Sequence, residues 1–312
     1  YLAPALERAF PARLCERFRD RLAQHALRRE LIATQLANDV VDLMGITFID
    51  RMQQSTDAPV AAIVRAWVVA REVLDLHRWW GEVEALDNAV PAALQLDVLA
   101  DLQRLTRLAA RWFIQNRRGV LEARAEVEAF AAPVRAIRDR MCDYVMGEQR
   151  LAWERRHEEL LQAGLPPGLA AAFAGSTMLI GALGMADAAR THGLVVEEVA
   201  RVAFALNERL DFHWFGKQIT ALKVEDYWQA LARESFLDEL DWQVRAIVAL
   251  VAGGAGEGNG IDERVASWEA TRAPAIERWR RMVAAIRDAR TQDYAMYAVA
   301  VRVLLQLAQP VA

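Results

Sequence analysis

Apolar residues recur every three to four positions along nearly the whole chain, the period of a helix that buries one face. Short alternating runs of β-branched residues between turn signals, which would mark strands, do not occur. The pattern predicts an all-α protein, a multi-helix array of about ten to thirteen helices with no sheet.

Proline and glycine set the expected boundaries. Pro11 falls in the first turn of a helix reaching about His25, and Leu27 to Met44 forms the next, ended by Gly45. Asp57 and Pro59 open a helix to about Leu76, and Pro91 opens one to about Asn116, broken at Gly119. Pro133 starts another, interrupted by Gly147, and a charged helix then runs to Ala163. The run Gly164-Leu165-Pro166-Pro167-Gly168 is the first strong break in composition. It divides the expected organisation into an N-terminal helical half, 1–163, and a C-terminal half, 169–312. The second half reads as helices near 169–174, 176–191, 196–210, 213–222, 226–252, 262–290 and 292–308. A glycine-rich loop at 253–260, flexible by composition, lies among them.

Composition narrows the function classes. With 312 residues, 54% of them hydrophobic, the chain can bury a large core. Its 38 basic and 42 acidic residues leave a net charge of −4 with no long run of one sign, which argues against a nucleic-acid partner. Only Lys217 and Lys223 are lysines, so the arginine excess reads as genomic bias. Cys15 and Cys142 are too few and too far apart for a disulfide framework or a zinc site, and a reducing, cytoplasmic setting is expected. No apolar run approaches the roughly 18–20 residues of a membrane span. The chain starts at Tyr1 without a Met or a leader pattern, so a piece of a longer protein is expected.

Several segments invite a chemical reading and fail on spacing or context. No glycine triplet in 253–260 satisfies G-x-G-x-x-G, and a helix, not a strand, precedes it, so no dinucleotide site is expected there. Glu154 and His157 share a helix face at i,i+3, but a di-iron bundle needs a second such pair and two more carboxylates. Ala189, Gly193 and Val199 have helix-turn-helix spacing. The second helix, however, would carry Glu197 and Glu198 where phosphates would lie, so a plain αα-corner is expected. The five histidines (25, 77, 157, 192, 213) are scattered and support no triad. Ten tryptophans at helical spacings read as core and interface anchors. Trp79 and Trp80 point about 100° apart, so one of them is expected to reach a second surface.

The most informative stretch runs from Leu27 to Gly45. Leu27, Leu31, Leu36, Val40 and Leu43 trace an apolar face; Thr34 and Asn38 stack beside it, with Gln35, Asp39 and Asp42 adjoining. Short amide and hydroxyl groups order at low entropic cost and both donate and accept, which suits a packed junction. Arg28, Arg29, Thr34, Gln35 and Asn38 are therefore the expected interface residues, against neighbouring helices or against a region outside the segment.

The same stretch resembles a signature of the large bacterial NAD-specific glutamate dehydrogenases. The resemblance is carried by Leu27-Arg28-Arg29-Glu30, Ile32-Ala33-Thr34-Gln35, Asn38 and Met44-Gly45, with a departure at Asp42, where Asn is expected. It continues through the segments 62–73, 84–88, 199–210 and 228–233, in order, and weakens over the last 70 residues or so. It implies a non-catalytic C-terminal helical domain. The parent enzyme would use NAD to oxidise L-glutamate to 2-oxoglutarate and ammonia, with its catalytic lysines and nucleotide-binding unit upstream. The segment itself would then bind no cofactor and no metal, and would pack on the catalytic region or between subunits. An independent helical binding protein, taking a small apolar ligand, is the competing expectation.

Overall fold

The computed structural model describes residues 2–117, 119–254 and 260–309. Among them are eighteen helices and no strand. The chain separates into two compact units, Tyr1–Ala131 and Ala132–Ala312.

The first unit contains α1 (Ala3–Glu7), α2 (Ala12–Leu22), α3 (Arg28–Met44), α4 (Phe48–Thr56), α5 (Val60–Val73), α6 (Leu76–Glu84) and α7 (Ala92–Asn116). Helix α5 is apolar on most of its circumference, and Ile63 and the run from Ala66 to Arg71 are all buried. A helix apolar all round belongs at the centre of a unit, and α4, α6 and α7 pack on it. Helix α7 buries Val98, Leu102, Leu105, Ala109 and Phe113, at steps of three and four. Trp79 and Trp80 are both buried, contrary to the expectation that one would reach a second surface; α6 is covered by both α5 and α7.

The next helix, α8 (Ala123–Asp139), runs across the division between the units. Pro133 lies inside it, not at its start. The ring forfeits one helical hydrogen bond, and burial of Phe130, Val134 and Ile137 at i, i+4 and i+7 offsets that loss. Within the first unit, Phe130 meets Trp112 and Phe113 edge-on at 5.7 and 5.4 Å between ring centroids.

The second unit contains α9 (Met141–Tyr144), α10 (Gly147–Gln162), α11 (Pro167–Ala174), α12 (Ser176–His192), α13 (Val196–Leu210), α14 (Phe212–Ala221), α15 (Tyr227–Ala252), α16 (Ile261–Thr271), α17 (Ala273–Asp288) and α18 (Tyr294–Ala308). The run 164–168 covers the turn after α10 and the first two residues of α11, and the two helices pack on each other. Helix α15 forms the spine, flanked by α12, α13, α14, α16 and α18. Gly184 lets α12 approach it: a Cβ there would stand 2.7 Å from the Arg245 Cδ. The indole of Trp279, fully buried, donates to the Leu210 carbonyl at 2.8 Å and meets Phe215 edge-on at 5.1 Å.

Five helices exceed the upper expectation. Four, α1, α4, α6 and α9, are short pieces between turns. The fifth arises because 262–290 is broken at Arg272 (φ −119°, ψ 16°), where Pro274 enters the first turn of α17. Of the loop 253–260, residues 255–259 lie outside the described residues. Gly253 and Gly260 cap the flanking helices.

His213, on α14, is pushed down to about 4 by burial, reinforced by the Lys217 charge. Its folded value lies below the unfolded value of 6.5, so the unfolded chain binds the proton first as pH falls. This contribution is therefore complete above about pH 6.5 and is lost on the way to about 4. The expected loss is about 3 kcal/mol across that window. Urea titrations of wild type and His213→Gln at pH 7 and pH 4 check it. The variant should lose less stability than wild type on acidification, and equal losses would rule the effect out.

Candidate docking surface

Helix α3 has two different sides. Its inner side is held by α1, α2, α5 and α7. Leu31 and Ile32 pack on a small cluster of Leu6, Cys15 and Leu22 from α1 and α2. Val40 is buried, and Gln103 of α7 donates to the Leu43 carbonyl at 2.9 Å, satisfying an end that has no later turn.

Asp39 lies at the centre of this inner side. Arg71, on α5 and almost completely buried, donates to its carboxylate at 3.2 Å, and Arg8, just after α1, pairs with the same oxygen. Arg71 also donates twice to Glu72, at 2.8 and 3.0 Å, and its guanidinium lies 4.9 Å over the Trp67 ring. The two carboxylates and the indole face give a buried cation the partners it needs. Burial, then the Arg71 and Arg8 charges, hold His77 below its ordinary value, against the pull of Asp39 and Glu72. The void beside these residues, lined in part by Leu43, Trp67 and His77, measures about 10 Å³, room for about one water and too little for an organic ligand.

The outer side of α3 is open. Arg28, Arg29, Thr34 and Asn38 are exposed and Gln35 is half-buried. The Thr34 hydroxyl donates back to the Glu30 carbonyl at 2.9 Å, a local bond within the helix. Ala33 and Ala37 lie exposed between these groups, and Val41 is 46% exposed on the same face. Leu27, placed by its spacing on the apolar face, sits before the first helical residue and is 57% exposed. Gly45 ends the helix at φ +81°, a backbone setting that favours glycine, and projects Ile46, 84% exposed. Of the five expected interface residues, Thr34 and Asn38 share this open face, while Arg28 and Arg29 are exposed in the first turn and point elsewhere around the helix. The anchoring role of Asp39 was hidden in the sequence, because its partners Arg8 and Arg71 lie 31 and 32 residues away.

The other candidate motifs resolve into packing. Glu154 accepts from Arg150 at 2.9 Å and His157 stacks on Trp153 at 4.8 Å. Among the described residues, no three His, Cys, Asp or Glu side chains group where they could hold a metal ion. Ala189 and Val199 are buried on either side of Gly193, at φ +65°, so 189–199 is the expected αα-corner. No single helix among the described residues is long and apolar enough to cross a membrane.

The sequence model of the family described as "Glutamate dehydrogenase, C-terminal" matches residues 1–306. The chain is 42% identical over 309 residues to an NAD-specific glutamate dehydrogenase of Pseudomonas aeruginosa, covering 99% of this chain and 19% of that protein. A protein of the same description from Halomonas elongata is 38% identical over 304 residues, covering 97% and 19%. One from Mycobacterium tuberculosis is 30% identical over 300 residues, covering 96% and 18%. The chain therefore spans about a fifth of the length of the curated relatives it matches.

Proposed function

The chain belongs to the glutamate dehydrogenase C-terminal family, and from that premise we propose that it is the non-catalytic helical domain of an NAD-specific glutamate dehydrogenase. The parent enzyme oxidises L-glutamate with NAD and water to 2-oxoglutarate, ammonia and NADH, in the cytoplasm. This domain supplies none of the reacting groups. It packs, through the outer face of α3, on the upstream region that carries them.

One observation carries the reading: α3 is anchored on one side by Asp39 and open on the other. Open positions of a merely solvated helix favour Lys and Glu. Here the open face carries Glu30 and Asp42 near its two ends, and between them mixes Ala33, Thr34, Ala37, Asn38 and Val41, short or apolar groups that let another surface come close. The exposed Leu27 and Ile46 flank it at the two ends. The alternative, an independent binding protein for a small apolar ligand, finds no support in the void beside α3.

Calorimetry on the 312-residue chain with NAD tests the non-catalytic assignment. The βαβ unit that would aim backbone amides at a pyrophosphate is absent from the described residues, so no heat of binding is expected. Micromolar affinity would overturn it.

A further inference from the structure

We infer that α1 and α2 form a strap that leaves α3 as one piece while the rest of the first unit stays folded. Of residues 11–30 only Cys15 and Leu22 are buried. Helix α2 departs from helical geometry at Phe18 (φ −127°, ψ 23°), and nearly every other residue along it is exposed. A segment with few buried side chains and its helical bonds open to water opens at low free energy. What closes the strap is a small cluster of its own: Leu6, Cys15 and Leu22, with Phe10, Leu31 and Ile32 packed around them. The Cys15 thiol donates to the Glu7 carbonyl at 3.2 Å, which ties α2 to α1 and makes the two move together. Among the described residues the strap packs on α3 and on no other helix to a comparable extent.

The Asp39 anchor is arranged so that this release strands no charge. One carboxylate oxygen takes both Arg8, from the strap, and Arg71, from α5. The Arg8 side chain is 39% exposed and that of Arg71 only 3%. An exposed ion pair contributes little, whereas a buried charge must stay compensated. When the strap leaves, Asp39 loses Arg8 and keeps Arg71, so α3 stays fixed to α5. The Gln103 bond to the Leu43 carbonyl and the burial of Val40 lie outside the strap and hold as before. Release uncovers Leu31 and Ile32, the two α3 residues of the cluster. In the parent enzyme proposed above, the upstream region is joined to α3 through this strap, so release turns a fixed junction into a longer tether. That consequence rests on the proposed function; the release itself does not.

The test uses the 312-residue chain with Cys142→Ser, which leaves Cys15 as its one thiol. No tryptophan precedes Trp67, so tryptophan fluorescence reports the molecule without the strap. Below the fluorescence transition in urea, Cys15 should react with a maleimide at a rate that hardly changes with urea, about a hundredfold faster than unfolding of the whole unit allows. Arg8→Ala should raise that rate, up to about fivefold, and leave the fluorescence transition in place. Amides of α2 should exchange with the same protection as Cys15 and ahead of those of α3 and α5. A labelling rate with the full urea dependence of the fluorescence transition would overturn the proposal. So would an Arg8→Ala variant that leaves the rate unchanged or shifts both readouts equally. Labelling of Cys15 while the α2 amides stay as protected as those of α3 would also overturn it, since only the side chain would then be moving.

Discussion

Arg71→Met should destabilise the first unit by about 3 kcal/mol, although methionine fills much of the same space. Arg71 is the buried cation that joins α5 to α3 through Asp39, and it lies over Trp67. Removing it leaves Asp39 and Glu72 as neighbouring half-buried carboxylates, with only Arg8 still in contact with Asp39. Breaking a buried pair on one side costs more than the pair contributes, because the remaining charge loses its compensation. Arg71→Lys should recover only part of the loss, since a single ammonium cannot reach both carboxylates with a planar fork. Chemical denaturation followed by the fluorescence of Trp67, Trp79 and Trp80 measures it. A loss below about 1 kcal/mol would mean that α3 is held by its apolar contacts alone.

Trp279→Ala should have a similar or larger effect on the second unit, about 3–5 kcal/mol. The side chain is fully buried against Phe212 and Phe215, and its indole N–H is bonded to the Leu210 carbonyl at the end of α13. Alanine would leave a cavity among aromatic rings that collapse poorly. Trp279→Phe separates the contributions: it keeps most of the apolar volume and removes the donor, and should cost about 1–3 kcal/mol. If both variants lose the same amount, the hydrogen bond and not the volume is what matters at that position.

Most of the helical order was legible because single apolar periods and single prolines mark it. Pro91 and Asn116 bracket α7 closely, and the expected 226–252 became Tyr227–Ala252. Signals that compete locally were misread. Pro133 looks like a start, yet sits inside a helix that burial of Phe130 and Ile137 sustains. Pro274 passed unnoticed inside a strong period and splits α16 from α17. The outer face of α3 was visible as a polar stripe with short side chains. Its anchor was not, because Arg71 reads as one more charge in an apolar helix until folding brings it to Asp39. The exposed pair on α15 was hidden for the converse reason. Trp228 and Trp242 look like core residues by type, and only the packing of neighbouring helices leaves them 74% and 56% exposed.

Solvent access at position 38 tests the docking of α3 most directly. Asn38→Cys, in a Cys142→Ser background that removes the exposed native thiol, places a reporter at the open face without disturbing the inner one. In the 312-residue chain the new thiol should react rapidly with a maleimide, because residue 38 is exposed. In the full-length protein it should be protected by the upstream region and react far more slowly, while the melting of the 312-residue chain stays unchanged. Equal labelling rates in the two proteins would contradict the assignment of this face as the place where the domain meets the rest of its enzyme.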